Sequence, residues 1–208
     1  NAEQLLDIYL QADESDKVGT FLNAYGGDLL ANTDFLKMSA GYAEQSGFLD
    51  IALQIYSTLV EIDPSPEILN YASEVALANN DLPSAAKFLA LSLESNPSAE
   101  GYLQLNNIYL WLGEILLAQR SSLASIAIQA TPEAIRKGIK ESKSLGDLST
   151  QALLYTKLSE NNWVLIEEYD EWMDSIEKGQ GNAVAIEQVI SLIDLRPQDP
   201  NLLDHLSR

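Results

Sequence analysis

The sequence predicts an all-α fold, a right-handed solenoid of antiparallel helix pairs stacked in a row. The first observation is a repeat: small or nearly small residues recur at separations of 33, 33, 33, 33 and 34, at Gly19, Ala52, Ala85, Ala118, Gln151 and Ala185. Apolar residues between the turn signals also follow the three-four spacing of a helix face, and no alternating stretch of strand length competes. A two-helix unit of this size buries its apolar face only by stacking on copies of itself.

The repeat predicts one solenoid over residues 1–208, with about five to six units. An irregular leading pair is expected over 1–32, and the start of a further helix over 198–208. The units between them are expected over 33–64, 65–97, 98–131, 132–161 and 162–197. Helix pairs are expected to start near Thr33, Ser65, Ser98, Thr131 and Asn162.

Helix ends are marked by local signals. A turn residue stands five positions before each of the last five repeat residues, Ala52 to Ala185; these turn residues are Gly47, Asn80, Gly113, Gly146 and Gln180. The sequences Ser65-Pro66-Glu67 and Thr131-Pro132-Glu133 each place a hydroxyl cap before a proline at the first helical position, followed by an acid near the positive helix end.

The repeat resembles the tetratricopeptide repeat over nearly the whole chain. The best match is residues 102–109 (YLQLNNIY) followed by Gly113 and Ala118, and the first full unit supplies Gly47, Ala52, Tyr56 and Pro64. The sequence departs from the family pattern where Asn106 replaces the usual glycine, and where Gln151 and Ser122 replace the usual small and aromatic residues. The resemblance implies a protein that binds peptides or partner helices in a concave groove lined by the first helices.

Composition excludes several classes of protein. The 31 acidic and 12 basic residues give a formal net charge of −19, which would repel a nucleic acid. The longest apolar stretch, residues 108–118, is far shorter than a membrane-spanning helix, so we do not expect the chain itself to span a membrane. Without cysteine, disulfides and thiol chemistry are excluded.

Nothing in the sequence predicts catalytic, cofactor-binding or metal-binding residues. The single histidine, His205, has no partner pattern, and Gly179-Gln180-Gly181 follows a predicted helix rather than a strand, so it is interpreted as a turn. The acidic run Glu167, Glu168, Asp170, Glu171 and Asp174 lies on a predicted helix and not on the tight turn of a calcium loop. We therefore predict a protein that is not an enzyme and uses no cofactor.

A basic segment on one first helix faces acids on the next. Residues 136–143 hold a third of the chain's cations, and the repeat register aligns them with the acidic run. We expect cross-helix ion pairs of Arg136 with Asp170 and of Lys140 with Asp174, each worth about 0–1 kcal/mol if exposed. The alternative is that this segment contacts an acidic group of a partner.

The resemblance implies a groove lined by one set of first-helix residues. They are Lys37, Asn70, Glu74, Leu103, Asn107, Leu110, Trp111, Arg136, Lys140, Asp170 and Asp174. Asn107 falls where the family often presents an asparagine to a bound peptide backbone, and Leu110 and Trp111 could anchor an apolar side chain. Packing between neighbouring units is the alternative for Trp111. A carboxylate clamp of the chaperone-adaptor kind is disfavoured, because Gly41 and Glu74 stand where such a clamp needs an amide and a cation.

Three functions remain open from the sequence. The favoured one is a non-catalytic protein–protein interaction scaffold, a segment of a larger protein whose partner is a protein or peptide of basic character. The second is the periplasmic scaffold of a bacterial exopolysaccharide export outer-membrane protein, interacting with polymer-modifying enzymes or a cationic polysaccharide. The third is a regulatory domain of a larger enzyme. The compartment, cytoplasmic or periplasmic and associated with the outer membrane, is left open.

Overall fold

A computed structural model describes residues 2–12, 17, 20, 21, 33–181, 184, 186, 187, 190 and 191. The chain divides into two compact units, Asn1–Gly101 and Tyr102–Arg208. Within the described residues all regular structure is helical and no strand occurs, so the predicted all-α class of repeated helix pairs is confirmed. The single solenoid over the whole chain and its right-handed superhelix stay predictions.

The first unit contains a leading helix and two antiparallel helix pairs. They are α1 (Ala2–Gln11), α2 (Thr33–Gln45), α3 (Leu49–Ile62), α4 (Pro66–Ala78) and α5 (Leu82–Ser95), and α6 (Ala99–Trp111) begins at the end of this unit. Helices α2, α3 and α4 each pack against the helix that follows them in the chain. Their core is apolar, with Leu36, Ile55, Leu59, Ile68 and Leu69 almost completely buried.

The second unit contains most of α6, which pairs with α7, then a second complete pair and the first helix of a third. It contains α7 (Ile115–Ile128), α8 (Pro132–Leu145), α9 (Leu148–Glu160), a three-ten turn (Ile166–Glu168) and α10 (Tyr169–Gln180). Its core is built around Ile135, Leu158, Trp172 and Ile176.

Helix starts recur at a constant interval in both units, as the repeat predicts. Four first helices begin at Thr33, Pro66, Ala99 and Pro132, and four second helices begin at Leu49, Leu82, Ile115 and Leu148. The interval equals the separation of the small residues in the sequence, so the period of the fold is the period of the sequence.

The turns inside each pair are confirmed at four of the five predicted positions. Gly47, Asn80, Gly113 and Gly146 all have positive φ, between 58° and 81°. At each of them two amides bond back to the preceding helix; in the first turn Gly47 N donates to Glu44 O (3.0 Å) and Phe48 N to Ala43 O (2.8 Å). In the last turn the positive φ lies at Gly181, one residue after the predicted Gln180.

Helix starts agree with the local capping signals except at two places. Thr131 accepts from the Ala134 amide (3.1 Å) as predicted, whereas Ser65 makes no side-chain capping bond. Instead Asp63 Oδ1 accepts from Ser65 N (3.2 Å). The start predicted near Asn162 is also wrong: α9 ends at Glu160, Asn162 follows it in a turn with a φ of 59°, and the next helical turn begins at residue 166.

The repeating small positions bring the two helices of a pair together. Ala52, Ala85 and Ala118 are completely buried, and Gln151 at the same position is 5% exposed. The expectations for Gly19, Ala185, Pro197, the lone helix from residue 199 and His205 lie outside the described residues, as does most of the second half of the leading pair. No helix within the described residues is long and apolar enough to cross a membrane.

Candidate functional site

The first helices of the pairs, α2, α4, α6, α8 and α10, carry the residues predicted to line a groove. In the first unit Lys37, Asn70 and Glu74 are exposed. In the second unit Asn107, Trp111, Lys140, Asp170 and Asp174 are exposed, and Leu103, Leu110 and Arg136 are half-buried. Leu103 packs against the core of the second unit, so part of its side chain serves the fold.

Trp111 is the most exposed large apolar residue of the described chain, at 66%. Most of its surface therefore faces solvent, and packing between neighbouring repeats does not account for it. It lies one turn after Asn107 on α6, so the two side chains share a face of the helix.

Asn107 is held in place by a cation from the next first helix. Lys137 Nζ on α8 donates to Asn107 Oδ1 at 2.5 Å, and burial lowers the pKa of Lys137 while the charge of Glu141 acts in the opposite direction. The Asn107 Nδ2 group bonds to no other described residue, which leaves an amide donor beside Trp111. The sequence placed Lys137 in the basic segment but did not predict this bond.

Arg136 pairs with Glu168 instead of Asp170. Its Nε and Nη2 atoms donate to the two Glu168 oxygens at 2.7 and 3.2 Å, and Nη2 also donates to the Trp163 carbonyl at 2.5 Å. The predicted partner is wrong because the later start of α10 puts Glu168 in the three-ten turn before it. Burial alone would raise the pKa of Glu168, but the bonds from Arg136 and from the Leu165 amide hold it below its usual value.

The predicted pair of Lys140 with Asp174 is also wrong. Asp174 pairs with Lys178, four residues later on its own helix, at 2.5 Å. Lys140 is exposed and makes no ion pair with the described residues, so it is an available cation on α8.

One acid of α10 is bound by both a cation and a phenol. Lys143 pairs with Glu171 Oε2, and the buried Tyr155 hydroxyl donates to the same oxygen at 2.6 Å. The bonds from Lys143 and Tyr155 lower the pKa of Glu171. Burial first, and then the bond to Glu171, raise the pKa of Tyr155.

The first unit contains a tyrosine pair that the sequence reasoning missed as a site. The rings of Tyr56 on α3 and Tyr71 on α4 stack at 6.1 Å between centroids and 19° between planes. Tyr56 is 6% exposed and Tyr71 is 47% exposed. Burial, followed by the charges of Glu44, Tyr71 and Glu74, raises the pKa of Tyr56 to about 12. Tyr56 was visible as a repeat marker, but its pairing with Tyr71 depends on how α3 and α4 pack.

The described residues hold no group of three or more histidine, cysteine or acidic side chains arranged to bind a metal ion. The acidic run is distributed among ion pairs: Glu168 binds Arg136, Glu171 binds Lys143 and Asp174 binds Lys178. The first helices and the tyrosine pair can therefore contact another molecule through hydrogen bonds, charged groups and aromatic rings.

Comparisons with known proteins support the fold. No family model matches the sequence, and no curated protein matches it. Among solved structures, that of Naa15/Naa10 bound to HypK-THB has a TM-score of 0.60 at 13% identity, over 100% of this chain and 34% of that chain. A MamA mutant has a TM-score of 0.51 at 13% identity, over 81% of this chain and 94% of that one.

A third similar structure is YrrB, described as a TPR protein with an unusual peptide-binding site. Its TM-score is 0.48 at 15% identity, over 89% of this chain and 98% of that chain. The tetratricopeptide-type fold is confirmed by the repeated helix pairs and their turns, together with the two structures whose TM-scores exceed 0.5. At 13–15% identity the likeness concerns the fold alone.

Proposed function

We propose that this chain is a non-catalytic protein-interaction scaffold that binds a peptide or a segment of a partner protein on its first helices. The observation that carries the proposal is the 66% exposure of Trp111, one helical turn from the amide of Asn107. Tryptophan is enriched among the residues that dominate binding energy, since it buries a large area with little loss of side-chain freedom. Scattered single apolar residues are common on surfaces, but a tryptophan beside an oriented amide donor is a feature of a recognition surface.

Two features of the second unit prepare this surface. Lys137 fixes the Asn107 side chain, so its Nδ2 group can donate to a partner carbonyl without first losing rotamer freedom. Lys140 provides a nearby positive charge on the same helix as Lys137. A partner segment with an apolar side chain for Trp111 and backbone carbonyls for Asn107 would match this chemistry.

The charge of the whole chain supports a basic partner. The formal net charge of −19 would accelerate encounter with a basic protein or peptide in a salt-dependent way. Of the three functions that the sequence leaves open, we prefer the scaffold because an exposed tryptophan and a free amide contribute directly to protein binding.

The proposal is tested by selecting peptides from a random library on the purified chain and measuring their affinities by calorimetry. We expect Trp111→Ala and Asn107→Ala to weaken the selected peptides by about tenfold and threefold, because they remove an aromatic anchor and a hydrogen bond. Leu153→Ala is the matched control, since Leu153 is 62% exposed but lies on the second helix α9. Circular dichroism checks that helical content is unchanged.

Two outcomes would contradict the proposal. If the library yields no peptide that binds above background, the binding function is wrong. If peptides bind and both variants retain full affinity, the surface around Trp111 is wrong. Repeating the titrations at low and moderate ionic strength tests the basic character of the partner, because a flat salt response rules out electrostatic attraction.

A further inference from the structure

The tyrosine pair of the first unit is partly buried and partly open to solvent. Tyr56 lies almost entirely in the core and supports Tyr71, whose ring is about half exposed. Tyr71 and Glu74 are three residues apart on α4, so they lie on the same helix face. Met38 takes the equivalent position on α2, one repeat earlier, and is 54% exposed. The surface therefore combines aromatic, thioether and carboxylate groups.

The two carboxylates at this surface form no ion pair within the described residues. Glu44 and Glu74 are exposed, and their carboxylates form no ion pair or hydrogen bond with the described residues. Glu74 lies one turn after Tyr71 on α4, and Glu44 lies near the end of α2, the helix that packs against α3, which carries Tyr56. After burial, the charges of Glu44 and Glu74 contribute to the raised pKa of Tyr56. The first unit contains 16 acidic and 3 basic residues, so its field is strongly negative.

At the equivalent positions of the second unit the chain itself supplies a cation. Three repeats later in the register, Lys143 replaces Glu44 and Tyr155 replaces Tyr56, while Glu171 and Asp174 replace Tyr71 and Glu74. There Lys143 pairs with Glu171, which also accepts from the Tyr155 hydroxyl. The equivalent position in the first unit thus lacks the positive charge that the second unit contains.

We propose that Tyr56, Tyr71, Glu44 and Glu74, called here the tyrosine–glutamate site, bind an arginine side chain of a protein partner. The guanidinium group would lie against the exposed Tyr71 ring and between the two carboxylates. Cations are attracted to the faces of aromatic rings, and arginine also stacks on them. Arginine fits better than lysine because its planar group is less strongly hydrated and donates to carboxylates in a fixed geometry.

This inference rests on the proposed function, since it assigns the cation to a protein partner. The test uses small probes of known chemistry, the capped tripeptides Gly-Arg-Gly, Gly-Lys-Gly and Gly-Gln-Gly, titrated into the isotope-labelled chain at low ionic strength. Amide chemical shifts of Tyr71 and Glu74 report binding. We expect saturable shifts with arginine, weaker binding with lysine and no shift with glutamine.

Variants separate the site from the general negative field. Glu44→Gln with Glu74→Gln should weaken the arginine probe by about fivefold, and Tyr71→Ala by about threefold. The matched control is Glu61→Gln with Glu94→Gln, which removes two exposed charges at equivalent repeat positions on α3 and α5 and should change the affinity less than twofold.

The proposal is overturned if the glutamine probe shifts the same amides equally, if the arginine probe shifts neither amide, or if the control double variant weakens binding as much as the site double variant. These results are distinguishable from failure of the scaffold function. Peptides selected from the library could still bind through Trp111 while the arginine tripeptide fails to bind the tyrosine–glutamate site.

Discussion

The two units share one backbone repeat but differ in net charge and in how their charged side chains are paired. The first unit has a formal net charge of −13 with 3 basic residues, and the second has −6 with 9. In the second unit Arg136, Lys143 and Lys178 each pair with an acid of the same unit. In the first unit Glu44 and Glu74 form no such pair within the described residues. The second unit therefore pairs several of its charges internally, and in our proposal a partner supplies the cation that the first unit lacks.

The two units also differ in the hydrogen bonds of their buried polar side chains. At equivalent positions one repeat apart, Ser73 donates to the Ala85 carbonyl (3.0 Å) and Asn106 donates to the Ala118 carbonyl (2.7 Å). Asn106 Nδ2 also contacts Ser122 Oγ (2.9 Å) and Glu141 Oε1 (2.6 Å), so it joins α6, α7 and α8. Glu141 is 4% exposed, which makes it a buried carboxylate whose described hydrogen bond comes from this one amide.

The largest expected effect is the loss of that amide. Asn106→Ala removes an amide whose two N–H hydrogens are shared among three acceptors, and it leaves the buried Glu141 carboxyl group without its hydrogen bond; it should lower the free energy of unfolding by about 3 kcal/mol. Ser73→Ala, the matched change in the first unit, removes one hydrogen bond and should cost about 1 kcal/mol.

Urea unfolding measures both variants. The three tryptophans, Trp111, Trp163 and Trp172, all belong to the second unit, so tryptophan fluorescence follows that unit, and far-UV circular dichroism follows both. Equal costs for the two variants would contradict the asymmetry of the cores. Adding Glu141→Leu to Asn106→Ala should recover part of the loss, because the buried polar group left without a hydrogen bond is then removed.

The second prediction concerns the close approach of paired helices. Ala85→Leu should overpack a completely buried position and lower the free energy of unfolding by about 1–3 kcal/mol. Gln151→Leu at the equivalent position of the second unit should cost less, since that position already contains a longer side chain at 5% exposure. Thermal unfolding followed by circular dichroism compares them; a smaller loss for Ala85→Leu would mean that the repeat does not constrain this position.

The third prediction tests the internal charge balance. Arg136→Met removes two bonds to Glu168 and one to the Trp163 carbonyl, and should lower the free energy of unfolding by about 1–3 kcal/mol. Because Arg136 holds the pKa of Glu168 below its usual value, this stability is present above the ordinary glutamate pKa and is lost as pH falls through the lowered value. The variant should therefore lose less stability in acid than the unaltered chain, and an identical acid response in fluorescence-detected unfolding would contradict the pairing.

Local signals made the backbone predictable. The period, the turn glycines and the cap at Thr131 all depend on interactions within a few residues, so the sequence placed four of the five turns correctly. The last first helix was misplaced because Asn162 adopts a left-handed conformation that continues no helix. That shift of start also explains why Arg136 meets Glu168 and not Asp170.

Partners of long side chains were much less predictable. The repeat register aligned Lys140 with Asp174, but Asp174 forms its ion pair with Lys178 on its own helix. The Tyr56–Tyr71 stack joins α3 to α4 and depends on the packing of the helices, which the period does not specify. Trp111 and Asn107 were predictable as surface positions, while the bond from Lys137 that orients Asn107 was not.

The smallest expected change in stability comes from giving the first unit the cation of the second. Glu44→Lys places a lysine at the register position of Lys143, and as an exposed charge it should alter the free energy of unfolding by about 0–1 kcal/mol. Its effect on the tyrosine–glutamate site should be larger, because the new ammonium group competes with the arginine tripeptide and abolishes its binding.

The same variant should lower the pKa of Tyr56. A positive charge in place of a negative one favours the phenolate, so the pKa should fall from about 12 but stay above the ordinary value of 10, since burial is the largest cause of the shift. The stability linked to this phenol is present below pH 10 and is lost as pH rises towards 12. In the variant the loss should be complete at a lower pH, because the pKa of Tyr56 lies closer to 10. Ultraviolet titration of tyrosinate, with Tyr56→Phe as the difference control, measures the change. An unaltered Tyr56 titration together with undiminished arginine binding would show that residue 44 lies outside the site. Glu44 and Lys143 would then occupy the same repeat position of the backbone without having equivalent roles in charge pairing.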